Sequence, residues 1–128
     1  MWHLTIDTRE QLPLSIKPGA NISSVSRGKL PFGDYAAKHE NSDTFWPVFW
    51  ERKSLADTWS TFTKGIDRFR AEVDRAKESN VTLYLGIEAT MSEVYQGFDR
   101  SDVLGSQIIR TLFTFKTKYG IEPVFCQG

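Results

Sequence analysis

The sequence contains one cysteine, Cys126, among its 128 residues. A single thiol closes no intrachain disulfide and builds no cysteine zinc site, so the fold has to stand on packing. Long apolar runs are missing as well. Nothing approaches the roughly eighteen residues that cross a bilayer, and the N-terminal MWHLTIDTRE has neither the basic region nor the apolar core of a signal peptide. A cytoplasmic protein without membrane contact is the expectation. Net charge is absent too, because sixteen basic side chains balance sixteen acidic ones. That argues against a strong generic polyanion binder, whose affinity comes from neutralising phosphates and releasing their counterions. Neither a Rossmann nor a P-loop glycine signature occurs, and there is no internal repeat, linker or low-complexity segment.

What is present is a globular composition, 40% hydrophobic, 13% aromatic and 25% charged, on a chain long enough for one core. A single domain over residues 1–128 is the expected organisation. HLTID alternates as a short strand that delivers Asp7, Arg9 and Glu10 to one end of a sheet. ISSVSRGKL is a weak strand, PFGD breaks it, and DYAAKH resumes an extended pattern. FWPVFWERK favours a strand through its aromatic and β-branched residues. Ser54 followed by Asp57 is a capping pattern, so a helix should begin directly after Lys53, with Gly65 punctuating it before a second amphipathic helix. VTLYLGIE reads as a buried strand, and Met91 to Tyr95 as about one helical turn. A long helix is expected with Ser101 as its cap and Gly120 past its end, and IEPVFC is a last strand. Strands followed by alternating helices and strands predict an α/β fold around a mixed sheet.

PVFWERKSLAD, where an apolar strand ends in three charges, carries the chemistry. Alternation puts Glu51 and Lys53 on one face and Arg52 on the other. If DYAAKH and PVFWERK form a hairpin centred on Asn41 to Thr44, paired residues have numbers summing to 85, and Asp34 falls opposite Glu51. Two carboxylates this close repel unless a cation lies between them, and oxygen pairs of this kind suit Mg²⁺ or Mn²⁺. With a lysine beside them these are the parts of a phosphodiester hydrolase. Spacing alone leaves a second reading equally open, in which Glu51 and Lys53 form an exposed ion pair and Asp34 is a turn residue.

In order along the chain, IDTRE, LPFGDY and ERKSLAD resemble the D-x-R-E, G-D-[YF] and E-R-K-x-x-x-D signatures of the XPF-type nuclease domain. GIDRFRAE looks like that family's glycine and arginine helix, and LGSQIIRTLFTFKTKYGIEPVF like its final helix and strand. The resemblance implies a PD-(D/E)xK, restriction-endonuclease-like central mixed β-sheet flanked by α-helices, and a divalent-metal endonuclease acting on branched, flapped or junction DNA. It implies Asp34, Glu51 and Lys53 as the catalytic set. Asp7 joins Asp34 and Glu51 at the metal, Arg9, Glu10, Arg52 and Asp57 support them, and Arg68 lies near substrate phosphates. No tandem helix-hairpin-helix region follows, so a stand-alone domain is expected, paired with a second copy or with a DNA-binding subunit. A silent DNA-binding or dimerisation module and a restriction-type endonuclease are the alternatives on the same fold.

The simpler roles remain alongside these. Asp57 serves as a helix cap with or without a substrate. Arg52 braces the strand against acids such as Asp57 or Glu10, and Arg9 with Glu10 reads as a structural ion pair. Glu88 reads as a solvated strand-end glutamate, and His3 and His39 as surface or strand residues. The tryptophans read chiefly as core, with Trp46 and Trp50 flanking the site. The stripe Leu104, Ile108, Leu112 and Phe115 suits either the core or a dimer contact.

Overall fold

The computed structural model describes residues 1–10 and 13–126. The chain begins with four strands, β1 (Trp2–Asp7), β2 (Ile22–Gly28), β3 (Tyr35–His39) and β4 (Val48–Lys53). Helices α1 (Leu55–Phe62) and α2 (Ile66–Glu78) lead to β5 (Thr82–Ile87). Helices α3 (Met91–Gln96) and α4 (Gly105–Tyr119) precede β6 (Glu122–Phe125). The described strands form one six-stranded sheet in the order β2-β1-β3-β4-β5-β6. It is mixed: β1 runs parallel to β2, β3 is antiparallel to both β1 and β4, and β5 is parallel to β4 and β6.

The predicted hairpin register holds, since Tyr35 pairs with Trp50 and Ala36 with Phe49. The ladder is short because Pro47 has no N–H to give it. Beyond it the Trp46 amide bonds the Ala37 carbonyl at 2.7 Å, so β4 starts at Val48. Alternation then sorts β4 and β5: Phe49, Leu83, Leu85 and Ile87 face the helices, where they meet Trp59, Phe69, Val73, Ile108, Leu112 and Phe115 in a single core.

Ser54 caps α1 as its sequence predicts, accepting from the Asp57 amide at 3.1 Å. Gly120 ends α4 in the left-handed conformation at φ 72°. The start of α4 differs from expectation. Ser101 does not cap it; its hydroxyl accepts from the Val103 amide at 3.2 Å in a local turn, the Trp59 indole takes the Val103 carbonyl, and Leu104 is the N-cap residue. Helix α4 starts at Gly105 because α3 crosses it there: a Cβ at that position would lie 2.1 Å from the Val94 carbonyl oxygen.

The opposite face of the sheet is aromatic and open, with a pocket of about 340 Å³ lined in part by Trp2, Tyr35, Trp46 and Trp50. Trp50 stacks on Tyr84 with ring centroids 5.8 Å apart, and its indole fills the space above Gly86. These two tryptophans therefore line the far face and do not flank the charged strand end. His3 is held at the β1–β2 seam by the hydroxyls of Ser24 and Ser26.

Candidate active site

Strand β4 brings Glu51 and Lys53 to the helix side of the sheet, with the ammonium 3.7 Å from Glu51 Oε1. Glu51 Oε2 is buried and has no hydrogen-bond partner among the described residues. An oxygen taken from water and given nothing in return is costly to keep ionised. Burial accordingly pushes the Glu51 carboxyl up to about 7, the charges of Glu72 and Asp34 push the same way, and Lys53 opposes them.

Asp34 is delivered by a turn that needs glycine. Gly33 has φ +63°, and a Cβ there would lie 2.8 Å from the Trp50 carbonyl oxygen. With the chain this close to β4, the Asp34 amide bonds the Trp50 carbonyl at 2.8 Å and Asp34 Oδ2 accepts from the Arg52 amide at 2.8 Å. The carboxylate is thereby fixed to the strand that carries Glu51. Burial raises its pKa, Glu10 and Asp7 add to the rise, and the Arg52 amide and Lys53 work against it.

Asp7 closes one wall and is 1% exposed. Its Oδ1 accepts from the Leu30 amide at 2.8 Å, and its Oδ2 from the Arg9 amide at 3.0 Å and the Arg9 guanidinium at 2.7 Å. Burial opposes ionisation here, but these bonds together hold the carboxyl below its ordinary value. Both oxygens already have partners, and the side chain ties β1 to the loop before Gly33. Arg9 thus pairs with Asp7, not with Glu10.

Behind the sheet, Arg52 spans the strand ends. Its guanidinium bonds the Glu88 carboxylate in a two-pronged contact and lies 3.8 Å from Glu10 Oε2, which also accepts from the Tyr35 hydroxyl at 3.3 Å. Glu88, expected to be solvated, is instead part of this brace. Tyr35 adjoins Asp34 in the chain, and Arg52 lies between Glu51 and Lys53, so the network fixes the backbone from which all three site residues project. Asp57 stays in the first turn of α1, where its amide serves the cap.

Helix α2 covers the site. Arg68 and Glu72, four residues apart, both reach a cleft of about 450 Å³ whose lining also includes Asp7, Arg9, Asp34 and Glu51. Glu72 is the residue that sequence reasoning missed. Its i,i+4 spacing from Arg68 is the signal that places both on one helical face. Arg75, a turn further along, lies over the Phe32 ring at 5.5 Å and closes the other side of the cleft.

The donor set suits a hard cation. Among the described residues no three His, Cys, Asp or Glu side chains form a ready metal cluster. Two carboxylates, Asp34 and Glu51, with a buried oxygen left unpaired on Glu51, match the way Mg²⁺ is commonly held, through one or two carboxylates and several of its own waters.

No protein-family model matches the sequence, and no curated protein does. Solved structures do. The chain is similar to XPF from Aeropyrum pernix, with a TM-score of 0.68 and 20% identity over 98% of this chain and 53% of that one. It is similar to the same archaeal protein in complex with DNA, with a TM-score of 0.66 and 21% identity over 98% of this chain and 56% of that one. The chain therefore spans about half the length of the proteins it matches, and it shares the XPF nuclease fold, an α/β sheet flanked by helices. At this identity the likeness establishes architecture.

Proposed function

We propose that this protein is a divalent-metal-dependent endodeoxyribonuclease. The observation that carries the reading is the buried, unpaired Glu51 Oε2 beside Asp34 and Lys53, at the strand end where the ERK motif stands. Asp34 and Glu51 would hold a Mg²⁺ or Mn²⁺ ion, which would supply Lewis acidity towards a phosphoryl oxygen and lower the pKa of a water. The remaining work belongs to the side chains. Lys53 orients the attacking water or steadies charge developing on the phosphate. Asp7 assists by holding, through Leu30 and Arg9, the loop that feeds Gly33 and Asp34. Arg68, which lines the same cleft as Asp34 and Glu51, meets a substrate phosphate there.

Branched, flapped or junction DNA is the proposed substrate class, and the XPF resemblance supports it together with the DNA complex of the Aeropyrum pernix protein. A second copy or a DNA-binding subunit is proposed to add affinity that a chain of balanced charge does not supply. An intracellular setting goes with that substrate. The intact Asp34, Glu51 and Lys53 set argues against a silent DNA-binding module. The test is cleavage of plain duplex, a flap and a four-way junction, with Mn²⁺ and with chelator. Cleavage of the flap or junction in preference to duplex, abolished by chelator, is expected. Efficient cutting of duplex at one sequence would point instead to a restriction-type enzyme, and no cutting of any substrate to a silent module.

A further inference from the structure

Beside the carboxylate cleft, a smaller cavity of about 170 Å³ opens between the end of α1, the α1–α2 turn and α2. The polar residues of its lining are Lys53, Ser60, Thr61, Arg68 and Glu72. Four of these five can donate hydrogen bonds, and those donors have little to bond. Thr58, Thr63, Thr111 and Thr114 each return their hydroxyl to the carbonyl four residues back. Ser60 and Thr61 show no such bond among the described residues. Arg70 pairs with Asp67 at 3.2 Å, whereas Arg68 has no carboxylate within ion-pair distance among the described residues. Lys53 meets Glu51 at 3.7 Å, which leaves donors of its ammonium for other acceptors. Uncommitted donors on the residues that line one small cavity are satisfied best by an anion with several oxygens.

We infer that this cavity is a second phosphate subsite, taking the backbone phosphate next to the one that lies over Asp34 and Glu51. The inference rests on the DNA-hydrolase reading for the identity of its ligand. The two cavities share Arg68 and Glu72. A strand crossing that ridge has one phosphate in each, with Arg68 between them and Lys53 close to both. Glu72 marks the border, since its charge keeps the anion towards Ser60 and Thr61. Those two hydroxyls thus set the register of the strand, and so which bond comes to rest over the carboxylates.

The experiment titrates inorganic phosphate into metal-free protein and follows the backbone amides by NMR. Saturable shifts are expected at Ser60, Thr61 and Gly65, lost in Arg68→Gln and weakened several-fold in a Ser60→Ala/Thr61→Val double variant. On a DNA substrate the double variant should raise KM several-fold and leave kcat within about twofold, the signature of lost ground-state binding. Absence of shifts at those amides, or equal shifts in all three proteins, overturns the subsite. If wild type binds phosphate there and cleaves no DNA, the anion site stands and the hydrolase reading fails. If wild type cleaves DNA and the double variant equals it in both phosphate shifts and KM, the hydrolase reading stands and the subsite fails.

Discussion

At the scale of single residues, the site sets two buried acids against each other. Asp7 is surrounded by donors, and its partners hold it ionised. Glu51 is buried with one oxygen unpaired, and burial pushes its carboxyl up to about 7 from an ordinary 4.5. Between those values the native state keeps a proton that the unfolded chain has released. That contribution to stability is complete below 4.5 and is lost as pH rises through about 7. The melting temperature of wild type should accordingly fall from about pH 5 to about pH 7.5, and that of Glu51→Gln should fall much less. A cation competes with the same proton, so Mn²⁺ affinity should rise through this window. Asp7→Ala leaves the Leu30 amide and Arg9 without their partner, and should cost about 2–3 kcal/mol, read as a melting temperature roughly 10 °C lower. Alternation and register made the placing of Asp34, Glu51 and Lys53 at one strand end legible, while the resemblance to the XPF-type domain, not the spacing, implied their role. The sequence did not make Glu72 legible, because a glutamate in a charged amphipathic helix looks like solvated surface until the helix is docked on the sheet. Arg52 was legible as a brace, and Glu10 is one of the partners its sequence named; Glu88 was not, because it is an ordinary strand-end charge until β4 and β5 lie side by side.

At the scale of elements, the hairpin between β3 and β4 does the positioning. Its register followed from the centre of a polar loop, and the side-chain period of two then fixed every face. Gly33 is where this geometry is most exposed to substitution. Gly33→Ala would put a methyl group 2.8 Å from the Trp50 carbonyl at φ +63°. It should lower stability by about 1–3 kcal/mol and displace Asp34 from Glu51, reducing cleavage more than DNA binding. Differential scanning calorimetry and single-turnover kinetics would read the two effects separately. Helix α4 was legible in its body and its left-handed end at Gly120. Its start was not, because what stops it is outside the segment: the Trp59 indole on the Val103 carbonyl and the α3 carbonyls against Gly105. The parallel pairing of β1 with β2 was likewise invisible in the local pattern, since neither segment's composition says which strand it meets.

At the scale of the whole molecule, two features bear on the proposed DNA binding. The stripe Leu104, Ile108, Leu112 and Phe115 divides: the last three are core, while Leu104 is 64% exposed. Core packing thus takes most of the stripe that suited either role, and leaves Leu104 as its exposed part. Light scattering at high concentration with a mass equal to one chain would remove the dimer. The balanced charge sets the salt dependence. With about three or four phosphates met by Arg68, Lys53 and their neighbours, the slope of log binding constant against log salt should be shallow, near −3 on duplex DNA. A slope twice as steep would mean a larger basic surface than the cleft provides. The central claim is that Asp34, Glu51 and Lys53 hydrolyse DNA, and single-turnover cleavage of a flap with Mn²⁺ tests it most directly. Wild type should cut, with Asp34→Asn and Lys53→Ala slower by at least about a hundredfold while still binding the flap. Equal rates for all three proteins would contradict it.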